Sequence, residues 1–153
     1  QIVDELQIPL FIARPTLIYG LNDPHNGYGP NRFLRQALNN EKISIFGKGE
    51  ELRDHVSIDD VGRLISEAVC HKSSGILNIA SGKTISFRAI AEKIVFLTNP
   101  SIEITETPRA GEMPHNGFRP FDIKSTTDYF PNFEYMDISE GLRKLVHDKR
   151  YSN

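Results

Sequence analysis

The residues best suited to chemistry are two arginines in separate glycine-containing loops. Residues 47–54 (Gly-Lys-Gly-Glu-Glu-Leu-Arg-Asp) predict a flexible turn that ends in Arg53, and residues 108–112 (Pro-Arg-Ala-Gly-Glu) place Arg109 in a second loop. Two guanidinium groups from separate loops can clamp a diphosphate, because each forms bidentate, charge-assisted hydrogen bonds with phosphate oxygens. The alternative is that each arginine makes an ordinary surface ion pair worth about 0–1 kcal/mol, and Arg53 beside Asp54 fits that alternative well.

Other kinds of site have weaker signals. No two of the five histidines lie three to five residues apart, and Cys70 is the single cysteine, so the spacing of a zinc site is absent. A Gly-x-Ser-x-Gly motif is also absent, and Cys70 at the end of an amphipathic segment is interpreted as a small filler of the core. No tyrosine is followed by a lysine four residues later, the spacing of a tyrosine acid/base supported by a lysine. The sequence therefore predicts no catalytic residue and no metal ligand within this chain.

Alternating strands and helices must position the two loops, which is typical of an α/β fold. The apolar run at residues 8–13 predicts a strand covered on both faces, and residues 108–121 predict a loop. Further strands are predicted at 43–46, 55–58, 76–80 and 102–107. Helices are predicted to begin at the N-cap candidates Asn31, Asp59 and Ser86, and a last one near Asp137 or Ser139.

Composition limits the class of protein. The chain has 153 residues, 39% of them hydrophobic and 25% charged, which fits about one globular domain and excludes collagen-like, coiled-coil and disordered chains. A net charge of −2 argues against a general nucleic-acid binder. A single cysteine forbids an intrachain disulfide, so a reducing, cytoplasmic location is expected. The first residue is Gln1, and residues 1–7 read as the last turns of a helix, so we expect the chain to be part of a longer one.

Several segments in a fixed order carry a resemblance to a known family. Residues 13–20 (Ala-Arg-Pro-Thr-Leu-Ile-Tyr-Gly), 43–61 and 75–82 come first, followed by shorter matches at 109–112, 122–124 and 139–142. Together they resemble the C-terminal half of the NAD-dependent sugar-nucleotide epimerases and dehydratases, the extended short-chain dehydrogenase/reductase family. The Gly-x-Gly…Arg-Asp-x-x-x-x-Asp-Asp block is the most specific of these segments.

The resemblance implies a fold and a division of labour. Its fold class is α/β, the C-terminal portion of an NAD(P)-binding Rossmann-type fold with its small substrate-binding region. Residues 1–153 would form a single substrate-binding portion, with 8–20 as the late strand of the Rossmann sheet and 21–153 as the substrate-binding region. NAD or NADP would be bound mainly by the half absent from this chain, which would also supply the catalytic tyrosine and lysine. The partner would be a nucleotide-diphosphate sugar, with no nucleic acid and no membrane, and the full-length protein is a candidate homodimer.

The resemblance also implies roles for individual residues. Arg53 and Arg109 would bind the diphosphate, Glu112 a ribose hydroxyl, and Phe46 would line the nucleobase slot, with core packing as the alternative. Asn31 would contact the substrate's phosphates. The residues that would contact the cofactor are Pro15, Thr16, Leu17 and Ile18. Asp59 and Asp60 are interpreted as structural.

Two positions depart from the family pattern, and one alternative stays open. Many members have Asn where this chain has Leu17, so the identity of the substrate is open, and His55 occupies a position where an aromatic residue is common. The alternative function is a non-catalytic binding or scaffold relative with the same fold.

Overall fold

The computed structural model describes residues 5 and 7–151, so most of the segment interpreted as a helix end at 1–7 lies outside the described residues. Strands and helices alternate along the chain, as predicted. The strands are β1 (Phe11–Pro15), β2 (Leu17–Tyr19), β3 (Ile43–Phe46), β4 (Leu52–Ser57), β5 (Gly75–Ile79), β6 (Thr84–Ser86), β7 (Ile104–Thr107) and β8 (Phe118–Arg119). The helices are α1 (Pro30–Leu38), α2 (Ile58–Cys70), α3 (Phe87–Thr98), α4 (Lys124–Tyr129) and α5 (Ile138–Tyr151).

Strand β1 pairs in parallel with β5, and only one face of this pair is fully covered among the described residues. Leu77 and Ile79 are buried on the inner face, where Phe11 packs against the same cluster. Ile12 and Ile76 are register partners on the outer face and are 42% and 52% exposed. Within the described residues the outer face is covered only in part, by the Asp122 carbonyl that accepts from the Asn78 side chain at 2.9 Å, so a strand covered on both faces stays a prediction for β1.

Strand β4 pairs with three other strands in the second sheet and so brings distant segments of the chain together. Along β4, β2 pairs with residues 55–57 in parallel, while β6 and β8 pair with its first residues. A separate parallel pair joins β3 to β7, with Phe46 opposite Thr107. Because Arg109 follows Thr107 by two residues, this pairing carries it toward the start of β4.

The helix starts confirm one predicted cap and correct two. Ser86 caps α3, since its hydroxyl accepts a hydrogen bond from the Ala89 backbone N–H at 3.1 Å. For α2 the cap is Ser57 rather than Asp59, and its hydroxyl accepts from the Asp60 N–H at 3.0 Å. Asn31 is also not an N-cap: α1 begins at Pro30, which has no N–H to be capped, and its N-cap residue Gly29 has no side chain to supply.

Two apolar clusters hold these elements together. The larger joins α1, α3 and α5 to β3, and the smaller joins α2 to β4 and β5. Cys70, the last residue of α2, belongs to neither cluster and is exposed, so the prediction that it fills space in the core is wrong.

A close approach between β2 and α5 explains one glycine in the closing helix. Tyr19 is buried, and a Cβ atom added to Gly141 would collide with its hydroxyl. Burial and the nearby carboxylates, chiefly Asp60, raise the pKa of Tyr19, so this hydroxyl stays protonated at neutral pH. Position 141 therefore accepts no side chain without displacing Tyr19 from the core.

We expect Gly141→Ala to lower the free energy of unfolding by about 2 kcal/mol, the usual cost of overpacking a core. The matched control is Gly62→Ala in α2, where an added Cβ meets nothing within 4 Å and helix propensity favours alanine. Urea unfolding would measure both variants. Equal stability of the two would contradict the Tyr19 packing argument.

Candidate functional site

The structure brings Arg53 and Arg109 together through a shared carboxylate. Arg53 Nη2 donates to Glu51 Oε2 at 2.9 Å, and Arg109 Nη1 donates to Glu51 Oε1. The two guanidinium groups come from residues 56 positions apart and meet because β7 pairs with β3, whose last residue Phe46 leads through a short turn into β4. Three charges of alternating sign thus form one cluster with a net charge of +1.

Asp54 points to the opposite side of β4, so it is not the ion-pair partner of Arg53. Successive side chains of a strand alternate between its faces. The Asp54 carboxylate accepts hydrogen bonds from the Ser81 N–H and hydroxyl, both at 3.1 Å, and from the Gly82 N–H at 2.7 Å. Burial raises the pKa of Asp54, while the Ser81 and Gly82 donors oppose that rise. Asp54 therefore fixes the turn after β5, and the predicted Arg53–Asp54 surface pair is wrong.

The two arginines differ in how many donors they have left. Arg53 donates to Glu51, to the Leu52 carbonyl at 2.9 Å and to the Pro114 carbonyl at 3.0 Å, which uses three of its five N–H groups. Its side chain is 9% exposed, against 18% for Arg109. Apart from Glu51, Arg109 contacts the Phe46 carbonyl at 3.5 Å. Arg109 thus has more free donors for a ligand, and Arg53 is the more rigidly held of the two.

An aromatic surface adjoins this cluster. The ring of Phe46 lies 4.8 Å from that of Tyr28, and the Tyr28 hydroxyl accepts the Phe46 backbone N–H at 3.0 Å. Phe46 is 43% exposed, so the alternative that it serves core packing alone is not supported. Burial raises the pKa of Tyr28, so its hydroxyl remains neutral at physiological pH. An exposed ring beside an arginine pair is chemically suited to a planar, anionic ligand.

The residues predicted to meet the cofactor lie between two clefts. One cleft, of about 540 Å³, is lined by Thr16, Leu17 and Ile18. The other, of about 530 Å³, is lined by Thr16 and Leu17 together with Pro15 and Arg53. The side chains of Leu17 and Ile18 are exposed, whereas the Thr16 hydroxyl donates to the Asp54 carbonyl at 3.0 Å. Of these four residues, Thr16 therefore uses its side chain to bond another part of the fold.

Asn31 and Glu112 are not drawn into the arginine cluster by any described contact. The Asn31 side chain accepts from the Gly20 N–H at 3.2 Å and donates to the Gly20 carbonyl at 3.0 Å. That pairing joins α1 to the loop after β2 and leaves the Asn31 amide little free capacity. Glu112 is exposed in the loop three residues after Arg109.

His55 is a buried, neutral histidine between the cleft of about 540 Å³ and the core. Its Nδ1 lies 3.3 Å from the Arg53 carbonyl, which can only accept, so Nδ1 carries the proton and Nε2 is a bare acceptor. Nε2 is buried and has no hydrogen-bond partner among the described residues. Burial lowers the pKa of His55 to about 4. The ring packs edge-on against Phe87 with centroids 5.6 Å apart, as an aromatic residue would.

We expect acid to destabilise the fold through His55. With a pKa of about 4 in the folded chain and 6.5 when unfolded, the folded state binds fewer protons between these values. Stability is therefore retained above pH 6.5 and falls as pH drops toward 4, by about 2 kcal/mol between pH 7 and 5. Urea unfolding of wild type and His55→Phe at both pH values checks this, because the variant should lack that part of the loss. An identical pH dependence in both proteins would refute the assignment.

Comparison with known proteins identifies the family. The model of the NAD dependent epimerase/dehydratase family matches residues 1–80, just over half of the chain. The chain belongs to the NAD-dependent epimerase/dehydratase family. The predicted resemblance is thereby confirmed, and the matched region includes β1, β2, the arginine-bearing start of β4 and β5.

Two curated relatives and one solved structure illustrate the family likeness. A UDP-N-acetyl-alpha-D-glucosaminuronate decarboxylase from Bacillus cytotoxicus is 28% identical over 91% of this chain and 46% of its own length. A putative UDP-glucose 4-epimerase from Methanocaldococcus jannaschii is 31% identical over 93% of this chain and 46% of its own length. The chain thus spans about half the length of the curated relatives it matches.

The solved structure confirms the predicted fold class. UDP-glucuronic acid 4-epimerase from Bacillus cereus, in complex with UDP-glucuronic acid and NAD, superposes with a TM-score of 0.81 at 20% identity. The match covers 99% of this chain and 48% of that one. The described elements therefore form the α/β arrangement found in one half of Rossmann-type epimerases and dehydratases.

Among the described residues of this family member, neither a metal centre nor a membrane span is found. The described residues contain no group of three or more His, Cys, Asp or Glu side chains placed to hold a metal ion. No helix in the described part of the chain has the length and apolar character needed to cross a bilayer.

Sequence reasoning missed two members of the site. Glu51 lies two residues before Arg53, so on an extended strand both side chains share a face, and this period-two spacing is a signal that could have revealed the pair. Tyr28 lies in a glycine- and proline-rich loop, where no periodicity indicates which way a side chain points. The Phe46–Tyr28 contact is therefore knowable only from the tertiary structure.

Proposed function

We propose that this chain is the substrate-binding part of an NAD(P)-dependent nucleotide-sugar epimerase or dehydratase. Its role is to hold the nucleotide diphosphate so that the sugar reaches the cofactor. The observation that carries the proposal is the convergence of Arg53, which lies in β4 rather than in the predicted loop, and Arg109, in the loop after β7, on Glu51 beside Phe46. Guanidinium groups suit phosphate oxygens, and an exposed aromatic ring suits a base.

A second observation supports a larger enzyme around this part. The outer face of the β1–β5 pair exposes Ile12 and Ile76, and the neighbouring Leu10 and Leu17 are also exposed. Contiguous exposed apolar surface is the usual mark of a covered interface. Since the curated relatives are about twice as long as their match to this chain, we assign this face to the other half, which supplies NAD binding and the catalytic tyrosine and lysine.

The residues at 15–18 fit the edge of a nicotinamide site. Leu17 and Ile18 present exposed apolar side chains, and Pro15 is exposed beside them. NAD, when bound by the whole enzyme, supplies a hydride acceptor for transient oxidation of a sugar carbon. This chain has no glycine-rich phosphate-binding turn, so its own contribution is to orient the substrate rather than to anchor the cofactor.

The relatives favour a UDP-sugar as the ligand class. Both curated relatives are named for UDP-sugar chemistry, and the Bacillus cereus structure contains UDP-glucuronic acid. Leu17 cannot donate or accept a side-chain hydrogen bond, so contacts with the sugar at this position are apolar. Epimerisation and dehydration of a nucleotide sugar both require that the diphosphate be held by Arg53 and Arg109.

Titration with nucleoside diphosphates tests the proposal. UDP, TDP and GDP would be added to the isotopically labelled chain while backbone amide resonances are followed by NMR. We expect saturable shifts at residues 46–53 and around Arg109, and no NAD-dependent turnover by this chain alone. Absence of binding by all three diphosphates would refute the substrate-binding role, and NAD-dependent turnover would refute the division of labour.

A further inference from the structure

Glu51 lies between the two arginines at the point where the proposed function places an anionic ligand. One of its carboxylate oxygens accepts from Arg53 Nη2 at 2.9 Å and the other accepts from Arg109 Nη1. We infer that Glu51 is an internal counter-ion that competes with the diphosphate for both guanidinium groups and thereby sets the affinity of the site. This inference rests on the proposed function, because the diphosphate is the competing ligand.

Competition follows from the geometry of the hydrogen bonds. Each arginine directs one N–H at Glu51, and a phosphate oxygen approaching the pair needs the same region of space. The ligand must either displace the carboxylate or bind close to a charge of its own sign. The Glu51 side chain is only 9% exposed, so water screens this repulsion poorly. Both routes weaken binding relative to a site without the carboxylate.

The same carboxylate stabilises the chain when no ligand is present. Without Glu51, two positive groups would meet in a mostly buried place with fewer acceptors. Removing the charge should therefore lower the stability of the free protein while raising its affinity for an anion, the usual trade between stability and function. An added anion should then stabilise the variant more than the wild type, because only the bound state restores the missing negative charge.

The neighbouring Glu50 does not share this role. Its carboxylate accepts the Lys48 backbone N–H at 2.8 Å and lies over the Gly47 turn, in an exposed position. Its own backbone N–H and then the Lys48 N–H hold the pKa of Glu50 below its usual value, with a smaller effect from Arg109. Glu50 therefore stabilises a turn, whereas Glu51 alone joins both guanidinium groups.

The test compares wild type with Glu51→Gln, which keeps the shape of the side chain and removes its charge. Calorimetric titration with UDP and with inorganic pyrophosphate would be run at low and high salt, alongside thermal unfolding without ligand. We expect Glu51→Gln to bind both anions about tenfold more tightly at low salt, with a steeper loss of affinity as salt rises. Its melting temperature without ligand should be lower than that of wild type.

A matched control separates this effect from net charge. Glu103→Gln also removes one negative charge, from an exposed ion pair with Lys42 at the far end of the β3–β7 pair, and should leave both affinities unchanged. If Glu51→Gln binds UDP no more tightly than wild type, Glu51 merely positions the arginines and the inference is overturned while the proposed function stands. Binding of pyrophosphate by Glu51→Gln but of neither anion by wild type would support competition and count against the proposed function. If neither protein binds either anion, both ideas fail.

Discussion

Arg109→Ala should weaken UDP binding by about 10- to 100-fold while leaving the fold intact. A hydrogen bond to a charged group contributes about 1.5–3 kcal/mol, and each 1.4 kcal/mol changes affinity tenfold. Arg109 is the more exposed of the two arginines and has the fewer intramolecular bonds, so its loss removes ligand contacts more than structural ones. Calorimetric titration with UDP measures the affinity, and thermal unfolding checks that the fold survives.

Arg53→Ala should behave differently, and the contrast is diagnostic. Arg53 holds Glu51 and the Leu52 and Pro114 carbonyls, so its removal should lower the melting temperature as well as UDP affinity. Arg143→Ala serves as the control, since Arg143 is exposed on α5 and its removal changes the net charge equally. UDP affinity that is unchanged in both Arg53→Ala and Arg109→Ala would rule out the clamp.

Asp54→Ala should lower the free energy of unfolding by about 3 kcal/mol. The substitution leaves three donors, the Ser81 N–H and hydroxyl and the Gly82 N–H, without their buried acceptor. Leaving buried polar groups unsatisfied costs about 1–3 kcal/mol for each group, although their effects are not additive. For a chain of this size the melting temperature should fall by roughly 6–12 °C.

Ser81→Ala is the matched control for Asp54. It removes the hydroxyl, which donates to Asp54 and accepts from the exposed Lys83 N–H at 3.1 Å, and it keeps the Ser81 and Gly82 N–H groups bonded to Asp54, so a loss of about 1 kcal/mol is expected. Thermal and urea unfolding would rank the two variants. If Asp54→Ala costs no more than Ser81→Ala, the carboxylate does not organise the turn after β5.

Much of the fold could be predicted from the sequence because it follows from local rules. The alternation of Ile43 to Phe46 predicted β3 with its correct bounds, and Ser86 was correctly identified as the cap of α3. The resemblance of the ordered segments predicted the family and the fold class. By contrast the predicted strand at 8–20 is two strands, β1 and β2, in different sheets, and β6 and β8 were missed. Each of β2, β6 and β8 has only two or three residues and depends on its pairing with β4.

For the candidate site, too, some features could be predicted from the sequence and others depend on the tertiary structure. The sequence by itself predicted Arg53 and Arg109 as the candidate anion-binding residues, because both lie in glycine-containing segments of the matching motifs and a guanidinium group suits phosphate wherever the fold places it. Only the tertiary structure decided that Glu51 joins them, that Asp54 faces away, and that Tyr28 supports Phe46. These contacts link residues that are far apart in the chain or on particular faces of a strand, and strand pairing, rather than local sequence, sets both.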